Sequence, residues 1–271
     1  MSKIKVIKSS GMIEPFSEEK LKNSLKAAGV DNVLSNWVTE KIKQKIKGTI
    51  STQLIHRKTL EILRSEKALF AMRYKLKEAI MELGPTGHPF EKLVGWILKS
   101  EGYNVKTNVL IGGKCVVHEV DAIGEKDGTK IMVEAKYHNE RGIKTDVKVA
   151  MYVYARFLDI NFNEKLKEGW LITNTKLTSD ARQYASCIGL KAIGWNYPAG
   201  TSLQRLIEKN KLFPLTILTT LDIGSKRKFL EKGIVLVKEI TNSHLNQLLL
   251  NKFVKNKVQA EIKELMEAEI L

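Results

Sequence analysis

Apolar residues in the first third of the chain recur every three or four positions, which is the period of amphipathic helices. Leu69, Met72 and Leu76 show this spacing most clearly. A β-hairpin is predicted before the first helix, because two short apolar runs flank Gly11. The segment therefore predicts a hairpin and four helices, near residues 17–28, Val33–Ile46, Thr52–Glu66 and Ala68–Leu83.

The central segment mixes the helical period with the alternation of β-strands, after a break at Gly84–Pro89 that is typical of a linker. A helix over Phe90–Ser100 comes first, and its apolar residues form one stripe. Strands and helices then alternate, which predicts an α/β domain with a mixed sheet flanked by helices. We expect strands near Asn104–Ile111, Val116–Ile123, Lys130–Tyr137, Gly169–Thr173 and Leu190–Trp195, and helices near Lys144–Leu158 and Ser179–Ile188.

The last segment returns to the helical period and predicts a small helical region, without an internal repeat of fixed period. Two boundaries follow, and they divide the chain into predicted domains at residues 1–84, 85–200 and 201–271. Helices of the last domain are expected near Ser202–Glu208, Lys226–Glu231, Thr241–Phe253 and Lys257–Ile270.

The charge of the chain indicates a polyanionic partner. Its 271 residues include 45 Lys and Arg against 30 Asp and Glu, which gives a formal net charge of +15. Such a basic surface concentrates nucleic acid, although lysine-rich solvated faces without any partner would produce the same excess. Charge alone leaves both interpretations open.

Cysteine content and apolar runs bear on the compartment. Two cysteines, Cys115 and Cys187, are too few for a disulfide framework or a four-cysteine zinc site. No run approaches the ~20 apolar residues of a membrane helix, so no membrane partner is expected. The first residues contain no apolar segment of a secretion signal. These features predict a reducing, cytoplasmic location.

The candidate chemistry lies on two neighbouring strands of the central segment. Glu134 and Lys136 are two residues apart on one predicted strand, so their side chains share a face, and a hairpin brings Asp121 near them. Two carboxylates on one sheet face are costly unless a cation lies between them, and Mg²⁺ prefers oxygen ligands. An isolated Glu-x-Lys is more often a surface ion pair. The nearby Asp121, and Glu91 on the preceding helix, favour a site that hydrolyses phosphodiesters.

A longer pattern contains the same residues: Gly87-x-x-Phe90-Glu91, Gly102-Tyr103, Asp121-Ala122-Ile123 and Val133-Glu134-Ala135-Lys136-Tyr137-His138. It resembles the Mrr-type restriction endonuclease domain of the PD-(D/E)xK nuclease superfamily, over about residues 85–197. The resemblance implies that Glu91, Asp121 and Glu134 hold Mg²⁺ (or Mn²⁺), and that these three residues and Lys136 are catalytic. Val120 stands where the superfamily name has proline.

The N-terminal segment contains its own motif, which runs from Val6 to Lys20 and consists of Val6, Lys8, Gly11, Glu14-Pro15-Phe16 and Lys20. This frame resembles the ATP-cone, a mostly helical nucleotide-binding domain of ribonucleotide reductases and of their repressor, over about residues 3–83. The resemblance implies that ATP or dATP is bound. Ser9-Ser10 replaces the family's usual Arg-Asp, so a domain that only binds DNA or dimerises remains an alternative. The implied nucleotide-binding residues are Lys8, Glu14, Lys20 and Thr52.

Residues 218–240 are similar to a helix-hairpin-helix DNA-binding unit, with Ile223–Ser225 as the hairpin. Lys226, Arg227 and Lys228 would then contact DNA. A capping helical bundle explains the same segment equally well. The amphipathic residues 257–270 could mediate self-association.

Two hypotheses for the whole chain follow. The first is a magnesium-dependent DNA endonuclease of the restriction type, modulated by ATP or dATP at the N-terminal domain. Because cutting both strands requires two active sites, this hypothesis predicts a homodimer or a higher homo-oligomer. The second is a nucleotide-responsive regulator that binds DNA and does not cut it.

Overall fold

The computed structural model describes residues 4–248 and 250–268, and its first unit is a small sheet packed on four helices. The strand order is β2-β1-β3, with β1 antiparallel to β2 and parallel to β3. The turn between β1 and β2 contains Gly11 at φ +79°, a conformation that costs glycine little. The elements are β1 (Lys5–Ile7), β2 (Ile13–Pro15), α1 (Glu18–Ala27), α2 (Asn32–Lys45), β3 (Thr49–Ser51), α3 (Thr52–Glu66) and α4 (Ala68–Met81).

Side-chain caps fix where three of these helices begin. The side chains of Ser17, Asp31 and Ser51 accept hydrogen bonds from the backbone N–H three residues later, at 2.9–3.2 Å. Each bond satisfies one of the N–H groups that a helix leaves unpaired at its start. The helices then bury their apolar faces in one core, which includes Leu25, Val38, Ile42 and Leu63.

The central unit is a five-stranded sheet between two helical layers, as the alternation of strands and helices predicts. The strand order is β10-β8-β6-β5-β4, in which β6, β8 and β10 are parallel and β4, β5 and β6 are antiparallel. Helix α5 packs on one face of this sheet, and α6 and α7 pack on the other. The elements are α5 (His88–Ser100), β4 (Asn104–Gly112), β5 (Val117–Lys126), β6 (Thr129–Lys136), β7 (Lys144–Thr145), α6 (Val147–Glu164), β8 (Glu168–Thr173), β9 (Lys176–Leu177), α7 (Ser179–Cys187) and β10 (Lys191–Ile193).

One predicted helix of this unit begins later than its apolar pattern indicated. Lys144–Thr145 is a short strand that pairs in parallel with Lys176–Leu177, and the helix begins only at Val147. The Asp146 side chain accepts a hydrogen bond from the N–H of Val149 and so caps the helix. A two-residue strand has too few positions to show alternation, and for this reason the sequence did not predict it.

The C-terminal region contains two copies of one small unit, contrary to the expectation that no repeat is present. Each copy is a helix, a left-handed residue, an extended segment and a short 3₁₀-helix. Lys211 (φ +50°) and Gly233 (φ +74°) are the left-handed residues. The helices of the region are α8 (Leu203–Lys209), α9 (Ile223–Glu231), α10 (Asn242–Gln247) and α11 (Lys252–Glu267), with 3₁₀-helices at Leu215–Ile217 and Val237–Glu239.

The two copies hydrogen-bond to each other symmetrically. The N–H of Leu215 donates to the carbonyl of Val235 at 2.8 Å, and the N–H of Val237 donates to the carbonyl of Phe213 at 2.9 Å. The expected hairpin at Ile223–Ser225 is instead the first turn of α9, which Asp222 caps. A helix cap and a tight turn use similar residues, so the sequence pattern alone did not separate them.

Helix α4 belongs to two cores at once. Ala71 lies in the core of the N-terminal unit. Met72, Leu76 and Ile80 lie in the core formed with α5 and the C-terminal region. The three parts of the chain are therefore joined by packing along one helix and not by the linker alone.

Two expectations touch residues outside the described part of the chain. The helix predicted over 257–270 includes residues 269 and 270, which lie outside the described residues. The helix predicted over Thr241–Phe253 includes residue 249, which also lies outside them. Within the described residues, Asn251 caps α11, so one helix spans Lys252–Glu267. No helix in the described ranges has the length and apolar character needed to cross a membrane.

The position of Met72 in the shared core gives a stability prediction. Met72 is fully buried, and Met72→Ala should lower the free energy of unfolding by about 2–5 kcal/mol, because a methionine-sized cavity is left behind. Urea denaturation followed by circular dichroism measures this loss. Met12 is 61% exposed, and Met12→Ala is the matched control; equal stabilities of the two variants would contradict the shared core.

Candidate active site

The candidate site lies where strands β5 and β6 separate. The pairing of the two strands ends at Ala122 and Val133. Beyond that pair, the backbone N–H of Ala135 donates to Oδ2 of Asp121 at 2.6 Å. A carboxylate oxygen therefore accepts from this N–H, and the Asp121 side chain lies against strand β6.

Asp121 and Glu134 are the next residues beyond this last pair, one on each strand. Burial and the neighbouring Asp121 raise the pKa of Glu134 to about 7. Burial and then the charge of Glu91 raise the pKa of Asp121. Buried carboxylates whose ionised forms are disfavoured by other nearby carboxylates are the arrangement expected around a cation.

Lys136 lies two residues after Glu134, so alternation places both side chains on the face of β6 that meets α6. Lys136 is solvent-exposed, whereas Glu134 is only partly exposed. The strand is held just beyond this point, because the Tyr137 hydroxyl donates to the carbonyl of Met81 at 2.7 Å. The end of β6 is therefore fixed against the end of α4.

Arg156 is the counter-ion of this site, and the sequence analysis missed it. It projects from α6, is 8% exposed, and its Nη1 donates to both carboxylate oxygens of Glu134 at 2.8 and 2.7 Å. Its Nη2 also donates to the carbonyl of Glu119. One signal was available: Arg156 interrupts the buried stripe of α6, between Val153 and Ile160.

Glu91 approaches Asp121 from the first turn of α5. Its carboxylate is 3.1 Å from Nδ1 of His88, and it lines a cavity of about 480 Å³ together with Lys92, Trp96 and Asn108. Asn108 has φ +53°, and the pairing of β4 with β5 skips it opposite Asp121. Asparagine tolerates the left-handed conformation better than most residues, and such conformations cluster at functional sites.

The carboxylates of the candidate site offer a small set of ligands to a metal ion. Among residues 4–248 and 250–268, no group of three or more His, Cys, Asp or Glu side chains is close enough to hold one. Mg²⁺ is commonly bound through only one or two carboxylates, with water and substrate phosphate completing its ligands. Asp121 and Glu134 supply that smaller donor set.

In the N-terminal unit, three of the predicted nucleotide-binding residues contact each other. The ammonium groups of Lys8 and Lys20 lie 2.7 and 2.8 Å from the two oxygens of Glu14. Hydrogen bonds from Lys20 and then Lys8 lower the pKa of Glu14. Thr52 is exposed and follows β3, whose C-terminal end lies beside that of β1, just before Lys8. All four residues are therefore near one end of the small sheet.

The three predicted DNA-binding residues of α9 differ in their exposure to solvent. Lys226 is 8% exposed, whereas Arg227 and Lys228 are exposed. Arg227 pairs with Glu231 at 3.0 Å. Only Arg227 and Lys228 are thus accessible to a duplex, and their contact with DNA stays a prediction.

Three known family models match successive parts of the chain. The ATP cone domain matches residues 4–78, a restriction endonuclease catalytic domain of the Mrr type matches residues 84–194, and an AF1548-like C-terminal domain matches residues 213–266. An uncharacterized protein of Archaeoglobus fulgidus is 35% identical over 173 residues, which is 63% of this chain and 98% of that protein. The chain belongs to the AF1548-like family.

Solved structures give the same assignment for this AF1548-like chain. The crystal structure of the protein of unknown function AF1548 has a TM-score of 0.56 and 32% identity, and the match covers 68% of this chain and all of that one. A repair endonuclease from Pyrococcus abyssi matches 40% of this chain and 46% of its own, with 18% identity and a TM-score of 0.32. That value is too low to support a conclusion about this chain. The chain thus combines an ATP-cone, an Mrr-type nuclease domain and the AF1548-like C-terminal domain.

The raised pKa of Glu134 predicts a pH dependence of stability. Because the pKa of Glu134 in the folded protein, about 7, exceeds the ordinary value of 4.5, the free energy of unfolding of the wild-type protein should fall by up to about 3 kcal/mol relative to Glu134→Gln as the pH rises from 4.5 to 7. Urea denaturation of both proteins without divalent metal measures the difference. Glu125→Gln, an exposed change on β5, controls for the loss of a carboxylate; a difference independent of pH would contradict the prediction.

Proposed function

We propose that this protein is a magnesium-dependent DNA endonuclease of the restriction or defence type. The observation that carries the proposal is that the carboxylates of Asp121 and Glu134 interact just beyond the last paired residues of β5 and β6, with Lys136 two residues further along β6, in an Mrr-type nuclease domain. The net charge of +15 suits a DNA substrate. Cutting both strands would require two copies of the site, so we also propose a homodimer or a higher homo-oligomer.

In this proposal, Asp121 and Glu134 hold Mg²⁺ or Mn²⁺, and Glu91 completes or orients the ligand set. The bound ion would supply Lewis-acid charge and lower the pKa of a coordinated water. Lys136, the exposed cation nearest in sequence, donates to a phosphate oxygen and orients the attacking water. Hydrolysis joins the water oxygen to phosphorus, breaks one ester P–O bond and leaves the proton on the departing oxygen.

The second candidate function is a DNA-binding regulator that does not cut. Its support is the guanidinium of Arg156, which donates to both oxygens of Glu134. In addition, the described residues contain no group of three or more His, Cys, Asp or Glu side chains that could hold a metal ion. In a regulator, that ion pair would be permanent. In the endonuclease, Arg156 instead holds Glu134 in position until the ion and the DNA phosphate bind.

Cleavage separates the two candidates. Asp121→Ala should reduce the rate of plasmid nicking in the presence of Mg²⁺ by more than about a hundredfold, because a metal ligand contributes several kcal/mol to the transition state. Binding of the same DNA, measured by fluorescence anisotropy, should change little. Glu125→Ala, on the same strand, is the control. A wild-type protein that cuts neither methylated nor unmethylated DNA, with or without ATP, would favour the regulator.

Modulation by ATP or dATP is a further part of the proposal, and one loop supports it. The loop between Lys136 and β7 reaches the N-terminal unit. A Cβ at Gly142 would lie 2.8 Å from Oγ of Ser9, the residue after Lys8, and Arg141 pairs with Glu78 of α4. A nucleotide at Lys8 would therefore bind next to the chain segment that follows the candidate catalytic lysine.

Loss of the ammonium group of Lys8 tests this modulation. Lys8→Ala should weaken ATP and dATP binding by about tenfold or more, since a charge-assisted contact to phosphate is removed. Calorimetry measures the binding, and the cleavage rate with and without nucleotide measures the effect on the nuclease site. Lys5→Ala, at the start of β1 and exposed, is the control. Heats of wild-type protein equal to those of buffer would mean that this unit binds no nucleotide.

A further inference from the structure

A second pocket lies at the junction of the three units, away from the carboxylate site. It has a volume of about 570 Å³, which suits a small organic ligand. The linker after α4 forms one wall, and helix α9 forms the other. The apolar side chains that line it include Leu83, Pro85, Pro89, Ile223 and Leu230.

One cationic side chain inside this pocket lacks a counter-ion. Lys226 is only 8% exposed, and no carboxylate in the described part of the chain forms an ion pair with it. Burial and the neighbouring ammonium group of Lys75 lower the pKa of Lys226 to about 8. A buried cation beside another cation is unfavourable, and the nearby carboxylates of Glu82 and Glu261 offset the desolvation and the repulsion only in part.

The carboxylates near Lys226 are bound to other groups. Glu82 pairs with Lys75 at 2.9 Å. Glu261 accepts hydrogen bonds from the backbone N–H groups of Thr219 and Thr220 and from the Thr219 hydroxyl. Neither carboxylate forms an ion pair with Lys226, so an anion from outside the chain would compensate its charge further.

We propose that the pocket binds a small organic anion, with a phosphate or carboxylate group against Lys226 and a ring or apolar body against Ile223 and Leu230. Ile223 is 85% exposed although it is apolar, and a ligand would cover it. An apolar pocket with a few convergent polar groups is the usual form of a small-molecule site.

Phosphate groups also occur on DNA, and the burial of Lys226 favours the small molecule. A duplex backbone contacts side chains that project from a surface, such as Lys228, which does not line the pocket. Lys226 instead lies between α9 and the linker. The proposal does not depend on nuclease activity, so a protein that fails to cut DNA can still show this site.

The test uses phenyl phosphate as the probe and the full chain with the substitution Lys8→Ala, which weakens any phosphate binding by the N-terminal unit. Calorimetry should show one site per chain. Lys226→Met should weaken binding by about tenfold or more, whereas Lys228→Met, on the same helix and exposed, should bind as before. Adding Asp121→Ala should leave probe binding unchanged.

Thermal melting without ligand provides the second measurement. Lys226→Met should raise the melting temperature, because it removes an uncompensated buried charge while keeping most of the apolar stem. A lower melting temperature would make Lys226 a structural residue and overturn the proposal. No heat with millimolar phenyl phosphate, or unchanged affinity in Lys226→Met, would also overturn it. The proposal would also be overturned if Lys226→Met bound duplex DNA more weakly and no phenyl phosphate bound to either protein, because Lys226 would then be a DNA-binding residue.

Discussion

A buried guanidinium compensates the charges on which the candidate chemistry depends. Strands β5 and β6 stop pairing at Ala122 and Val133, and Asp121 and Glu134 are the next residues on the two strands. The backbone N–H of Ala135 donates to Asp121, and Arg156 donates to both oxygens of Glu134. Without these partners, the site would cost several kcal/mol in desolvation alone. This end of the sheet therefore tolerates two partly buried carboxylates close together.

Much of the fold follows from local pattern. Period, capping residues and the Gly84–Pro89 break predict the helices of the N-terminal unit and the mixed central sheet, and the family comparisons confirm both domain types. The proximity of Asp121 and Glu134 can also be predicted from the sequence, because a hairpin places adjacent strands side by side. These features depend on residues that are close along the chain.

Features that depend on distant residues could not be predicted in this way. Arg156 reaches Glu134 across 22 positions, and only the packing of α6 on the sheet brings them together. Lys226 belongs to a basic cluster in the sequence, yet the end of α4 and the linker bury it. The two copies of the C-terminal repeat match at a short apolar run, Leu212–Leu215 and Ile234–Val237, but differ at most other positions, so the repeat is weak in the sequence and clear only in the backbone.

The last turn of α4 connects the three places where chemistry is proposed. Glu78 meets Arg141 in the loop after Lys136, the carbonyl of Met81 accepts the Tyr137 hydroxyl, and Glu82 lines the junction pocket. Because Met72 and Leu76 anchor this helix in the shared core, its end cannot move without repacking. A ligand proposed for the N-terminal unit or for the pocket would therefore act on the candidate nuclease site through these few contacts. The strength of any coupling is set by how much more tightly the ligand binds one arrangement of them than another.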